Sequence, residues 1–144
     1  MFNNITIGID GSDHCWRALV IACDLAQRYT AQVHIIHVPE IPPSAMAMGV
    51  GAIDVPVDME QIMRAGQAIM ADAATRAREH GIEPSSQIVR LGIPSTEIIQ
   101  VVESTGSDLV VTGRRGRGGV ASLLLGSTSQ KIAHDAPCAC LTVK

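Results

Sequence analysis

The chain has 144 residues, a net charge of −3, and 47% hydrophobic but only 2% aromatic residues. This length predicts a single domain over residues 1–144 with an aliphatic core, and the charge argues against a protein that binds nucleic acid by neutralising its phosphates. No segment reaches the roughly 18 apolar residues of a membrane-spanning helix, and no secretory signal is recognised, so we expect no membrane partner.

Strand patterns alternate with helix patterns along the chain. Residues 3–9 are β-branched and apolar and predict a first strand, after which Ser12 or Asp13 can cap a helix that runs to about Tyr29. The same reasoning predicts strands over 33–38, 87–91, 108–112 and 138–143, and helices over 57–80, 97–104 and 127–135. Gly81 is a natural end for the second helix. This alternation predicts right-handed crossovers and a parallel sheet covered on both faces.

Residues 39–56 interrupt this order with four prolines and two glycines. The segment is long for a connection and unsuited to regular structure. We expect a flexible loop or a lid.

A glycine-spaced, basic run follows the fourth strand, from Gly113 to Gly119, with arginines at 114, 115 and 117. Such a loop can bring backbone N–H groups close to an anion, and arginine adds positive charge there. Gly126 and Ser127 then begin a helix whose N-terminus is a second anion site, although Ser127 with Gln130 also fits an ordinary capping box. Together the two features indicate a nucleotide.

Three predicted strand ends would lie at one edge of a parallel sheet, where ligands bind in such folds. Asp10 could accept hydrogen bonds from ribose hydroxyls or help to hold a metal, or it could simply form a turn. Val38 could offer backbone groups to a base, or be the last core residue of its strand. Gly113 and Gly116 could equally belong to a surface turn.

Signatures of nucleotide turnover are missing. The loop lacks the lysine of a P-loop, and no G-x-G-x-x-G follows the first strand. The sequence therefore favours binding over catalysis.

The histidines and cysteines give weaker signals. His34 and His37 are three apart on one strand and so lie on opposite faces, which disfavours a shared metal. Cys138 and Cys140 share a face near His134, but packed thiols are the stronger expectation. With no CxxC spacing among four cysteines, we expect reduced, buried thiols and a cytoplasmic location.

The spacing Gly113-x2-Gly116-x9-Gly126-Ser127 resembles the G-2x-G-9x-G-[S/T] signature of the ATP-binding branch of the universal stress protein family. Segments 7–12, 37–38 and 136–143 also resemble that family, and the likeness spans the chain apart from residues 39–56. One departure is Gly8, where ATP-binding relatives often carry proline.

The resemblance implies an α/β fold: a three-layer, Rossmann-like (adenine nucleotide α-hydrolase-like) open sheet of five parallel strands with about four helices. It implies a homodimer joined through Cys138–Val143, and ATP as ligand with Mg or Mn. It places Asp10 near the ribose and Val38 by the adenine. The site residues that it implies are Gly8, Ile9, Asp10, Val38, Thr112, Gly113, Gly116, Gly126, Ser127, Thr128 and Ser129.

Three functions remain open at this point. The first is a dimeric ATP-binding stress or regulatory protein with at most slow hydrolysis. The second is a nucleotide-independent interaction module that works through its dimer edge, and the third, least favoured, is a phosphotransferase or adenylyl-transferring enzyme.

Overall fold

A computed structural model describes residues 1–41, 58–116 and 125–144. These contain, in chain order, β1 (Asn4–Ile9), α1 (Asp13–Tyr29), β2 (Gln32–His37), α2 (Met59–Glu79), β3 (Ser86–Val89), α3 (Pro94–Thr105), β4 (Leu109–Gly113), α4 (Ser127–Asp135) and β5 (Ala139–Val143). The strands form one sheet in the order β3-β2-β1-β4-β5, and all four pairings are parallel. The predicted α/β fold with five parallel strands and four helices is confirmed.

The element boundaries differ from the sequence prediction by a few residues. The largest difference is at α3, which begins at Pro94 rather than near Glu97. Proline suits the first turn of a helix because the N–H that it lacks has no intrahelical acceptor there. The predicted lid falls mainly on residues 42–57, which lie outside the described residues.

Two aliphatic cores lie on opposite faces of the sheet. One holds the odd residues of β1 with the buried faces of α1 and α2, and the other holds residues of β2, β4, α3 and α4. Successive side chains of a strand point to opposite faces, so a buried sheet needs apolar residues on both. This makes the three-layer arrangement that the alternating pattern predicts.

Helix α2 approaches the end of β2 through a glycine in its interior. A Cβ built on Gly66 would lie 2.7 Å from Pro39 Cγ and 3.2 Å from His37 Cδ2. An interior glycine costs about 1 kcal/mol of helix stability, and here it leaves room for the chain that leaves the sheet at β2.

The cysteines differ in exposure more than the sequence predicts. Cys15 and Cys23 are buried and free, as expected, but Cys138 is half-buried and Cys140 is exposed. The expectation of packed thiols is therefore wrong for Cys140, because β5 is an edge strand with no neighbour beyond it among the described residues. Within residues 1–41, 58–116 and 125–144, no group of three or more His, Cys, Asp or Glu side chains could hold a metal.

None of the helices within the described residues combines the length and the apolar character needed to cross a bilayer.

Candidate functional site

A cleft of about 590 Å³ opens at the carboxyl ends of β1, β2 and β4. Its walls come from these strand ends, from α2 and α3, and from the start of α4. The volume lies within the range of small-molecule sites. Every site residue predicted from the sequence lines this cleft: Gly8, Ile9, Asp10, Val38, Thr112, Gly113, Gly116, Gly126, Ser127, Thr128 and Ser129. Their contacts with a ligand stay a prediction.

Asp10 forms the turn that the sequence leaves open, and its second carboxylate oxygen lies at the glycine loop. Its Oδ1 accepts hydrogen bonds from the backbone N–H of Ser12 at 3.0 Å and from the Ser12 hydroxyl at 2.6 Å, which forms a turn. Its Oδ2 faces the glycine loop, since a Cβ built on Gly116 would lie 2.7 Å from it. One carboxylate oxygen therefore holds the turn while the other is directed at the loop.

Gly113 is required by packing rather than by a free surface turn. It ends β4, and a Cβ there would lie 2.8 Å from Cys15 N and 2.9 Å from both His14 C and His14 Cβ. These atoms belong to the first turn of α1, and they are backbone atoms or a Cβ rather than the far end of a flexible side chain. The alternative of a glycine-rich surface turn is therefore wrong for Gly113.

The two ends of the glycine loop are held together at Gly126. Its N–H donates to the carbonyl of Arg114 at 2.8 Å, while the Arg114 N–H donates to Val143 O at 2.6 Å on β5. A Cβ on Gly126 would lie 3.2 Å from Arg114 O. A larger residue would crowd the point where the loop closes.

Helix α4 begins without a side-chain cap. Gly126 is the N-cap residue, so the expected capping box with Ser127 as the cap is wrong, because Ser127 is already the first helical residue. The hydroxyl of Ser129 donates to Gly113 O at 2.7 Å instead. The first N–H groups of the helix thus face the cleft with no side-chain cap, and the helix dipole favours an anion there.

Two arginines of the loop carry unsatisfied donors. The Nε atoms of Arg114 and Arg115 are buried and have no hydrogen-bond partner among the described residues. A guanidinium has only donors, and burying one without an acceptor is costly. Of the two, only Arg115 lines the described cleft, so an anion there would supply its missing acceptor.

Val38 is both a core residue and a cleft residue. It is 6% exposed and packs in the core beneath α3, yet it also lines the cleft. It directly follows the last residue of β2, so it lies at the carboxyl edge of the sheet where the cleft opens.

Ser12 and His37 are among the residues at the site that sequence reasoning overlooked. The Ser12 hydroxyl lies 3.3 Å from the carbonyl of Arg115, so its proton is shared between the loop and Asp10. His37 is buried and lines the cleft, and its Nδ1–H donates to Ile9 O at 2.7 Å. The resemblance of residues 37–38 to the family could have indicated His37. The sequence identifies Ser12 only as a possible helix cap.

Cys15 lies in the cleft wall at the start of α1, a place where thiols are often reactive. Burial, together with the charge of Asp10, raises the pKa of this thiol to about 11. The thiol is therefore neutral near pH 7, and Cys15 is not an activated nucleophile.

The chain matches the family described as the universal stress protein family over residues 1–144. It belongs to the universal stress protein family. Its relatives include "Universal stress protein in QAH/OAS sulfhydrylase 3'region" of Thermus aquaticus, 32% identical over the full length of both chains. Another is universal stress protein YxiE of Bacillus subtilis, 31% identical, again over all of both chains.

Solved structures share the fold of this universal stress protein. The hypothetical protein MJ0577 has a TM-score of 0.82 at 20% identity, covering 100% of this chain and 96% of its own. A universal stress protein in complex with cAMP has a TM-score of 0.73 at 24% identity, covering 99% and 97%. The universal stress protein from Archaeoglobus fulgidus in complex with dAMP has 0.68 at 20%, covering 100% and 98%.

Proposed function

We propose that this universal stress protein is a dimeric, cytoplasmic ATP-binding protein that acts in regulation or the stress response. The observation that carries the proposal is the cleft, in which Asp10 Oδ2 and the uncapped start of α4 line the same space as the Gly113–Gly116 loop. The Asp10 carboxylate suits hydroxyl donors, and the N-terminus of α4 suits phosphates.

The class of ligand is supported by the structural neighbours. Two proteins of the same fold were solved with cAMP and with dAMP, both adenine nucleotides. In this chain Asp10 would bind the ribose and Val38 the adenine. The phosphates would lie among Thr112, Gly113, Gly116, Gly126, Ser127, Thr128 and Ser129, with Gly8 and Ile9 in the wall beneath.

A divalent cation would accompany the nucleotide. The described lining offers two carboxylates, Asp10 and Glu40, and Asp10 Oδ1 already accepts two hydrogen bonds, so a cation would need phosphate oxygens as further ligands. Mg²⁺ is commonly held by one or two carboxylates plus phosphate oxygens, and Mn²⁺ accepts similar ligands. When bound, the cation would neutralise phosphate charge beside the Asp10 carboxylate.

Hydrolysis would be slow at most. The thiol of Cys15 is protonated, and Asp10 Oδ1 already accepts two hydrogen bonds. The described part of the cleft shows no nucleophile paired with a base. ATP occupancy would then act as the signal.

Calorimetry with ATP and Mg²⁺ tests the proposal. Asp10→Asn keeps an acceptor for Ser12 but removes the charge, and we expect ATP to bind about tenfold or more weakly. Asp13→Asn is the matched control, since Asp13 is exposed in the first turn of α1 and does not line the cleft. No ATP binding to the wild type, or equal affinity of Asp10→Asn and the wild type, would count against it.

The dimer would form through β5. This strand lies at the end of the sheet, with Ala139 and Cys140 exposed. Edge strands present unpaired backbone groups, and a lysine on such an edge blocks pairing. We expect the wild type to have the mass of a dimer by light scattering and Ala139→Lys to have that of a monomer; a monomeric wild type would refute the interface.

The same edge favours the second candidate, a nucleotide-independent interaction module. In that case ATP would not raise the melting temperature and no nucleotide would co-purify. Mass spectrometry of the supernatant from denatured protein distinguishes the two functions.

A further inference from the structure

The two neighbouring arginines of the loop have different surroundings. Arg115 is among the residues that line the cleft, whereas Arg114 is not. Arg114 instead joins the loop to β5 through its backbone N–H and to Gly126 through its carbonyl. The two arginines have the same side chain and are adjacent in sequence, but in the fold only Arg115 of this pair lines the cleft.

The Arg115 side chain carries an Nε–H donor that has no acceptor among the described residues. Its Nε is buried without a hydrogen-bond partner, and across residues 1–41, 58–116 and 125–144 no carboxylate forms an ion pair with it. The Nε of Arg114 is also unpartnered, so this observation alone does not decide the matter. Among residues 1–41, 58–116 and 125–144, Arg115 alone combines an unsatisfied buried donor with a place in the cleft.

The backbone of Arg115 fixes where the side chain starts. Its carbonyl lies 3.3 Å from the Ser12 hydroxyl, and its Cα would lie 3.5 Å from a Cβ on Gly126. The residue therefore sits between the turn at Asp10 and the start of α4.

We propose that Arg115 makes the cleft selective for nucleotides that carry a chain of phosphates. This inference rests on the proposed nucleotide function. The attraction between a guanidinium and a ligand grows with the number of phosphate groups that the ligand offers, from none in adenosine through one in cyclic AMP and AMP to three in ATP, and cyclic AMP carries less charge than AMP. The backbone N–H groups of α4 can bind a single phosphate, and Arg115 adds affinity for those that follow it.

The experiment is calorimetry on the full-length protein with four ligands: adenosine, cyclic AMP, AMP and ATP. Arg115→Gln keeps the backbone carbonyl that Ser12 contacts but removes the charge. We expect ATP affinity to fall roughly ten- to hundredfold, AMP affinity to fall less, cyclic AMP affinity to change less than about threefold, and adenosine affinity to stay the same. Arg114→Gln removes the same charge one residue away and should change each affinity less than about threefold.

Several results would overturn the inference. Equal losses for all four ligands in Arg115→Gln would indicate a structural role, and equal ATP losses in the two variants would indicate general electrostatics. Urea unfolding without ligand checks that both variants fold. If Arg115→Gln is unstable, Arg115→Lys replaces it in the test. Because Arg115→Lys keeps the positive charge, it should retain part of the ATP affinity that Arg115→Gln loses. If the wild type binds ATP and Arg115→Gln binds it equally well, only this inference fails; if the wild type binds no adenine nucleotide, the proposed function fails as well.

Discussion

Gly113→Ala should destabilise the protein strongly, although Gly113 has no unusual backbone angle. The new Cβ would lie 2.8 Å from Cys15 N and 2.9 Å from His14 C and His14 Cβ. All three atoms are backbone or attached to it, so relief requires a shift of the first turn of α1 relative to β4. Overpacking of this kind costs about 1–3 kcal/mol, and the rigid neighbours favour the upper end, near 3 kcal/mol.

Gly106→Ala is the matched control for this experiment. Gly106 has φ +61° and no atom within 4 Å of a built Cβ, so alanine there meets only backbone strain of about 1 kcal/mol. Urea unfolding followed by circular dichroism measures both changes, and we expect Gly113→Ala to lose about 2 kcal/mol more. A Gly113→Ala protein that is no less stable than Gly106→Ala would show that the contact relaxes freely, and the packing explanation would be wrong.

Three further predictions concern other parts of the fold. Gly66→Ala should gain about 1 kcal/mol of helix propensity but lose more from the 2.7 Å approach to Pro39 Cγ, for a net loss of about 1–2 kcal/mol in urea unfolding; a more stable variant would contradict this. Burial raises the pKa of the Cys15 and Cys23 thiols to about 11. Mass spectrometry should therefore find neither thiol modified by iodoacetamide at pH 7 until urea unfolds the protein. Modification in the folded state would refute this expectation. Burial lowers the pKa of His34, so its contribution to stability is complete above pH ~6.5 and is lost as the pH falls below that value. In His34→Gln, the free energy of unfolding should depend less on pH in this range. An unchanged pH dependence would argue against this role.

The elements were predictable because their patterns are local. Strand β1 is β-branched and apolar, as its sequence predicts. Gly81 lies just after the end of α2 and has φ +72°, a backbone angle that glycine adopts readily. The cleft residues were predictable for a topological reason: parallel strands place their carboxyl ends at one edge of the sheet, so Asp10, Val38 and Gly113 had to be neighbours.

The rest depended on which elements touch, and a single sequence does not contain that information. Cys140 looks like a core residue until β5 is known to lie at the edge of the sheet. Gly113 looks like a flexible turn until α1 is placed against β4, and Ser127 looks like a cap until the helix is seen to begin one residue earlier. These are tertiary contacts, and no local periodicity reports them.

The contacts around the glycine loop show how the site is held ready for a ligand. Hydrogen bonds from Arg114 N to Val143 O, from Gly126 N to Arg114 O and from Ser129 Oγ to Gly113 O fix the two ends of the loop against β4, β5 and α4. Each of these bonds joins two groups of the protein and is present without a ligand. Under the proposed function, the cost of ordering the loop ends would be met during folding rather than on binding, which strengthens binding. Residues 113–116 and 126–129 therefore behave as one preorganised unit, and the affinity of the cleft for phosphate should depend on these internal bonds as much as on groups that touch the ligand.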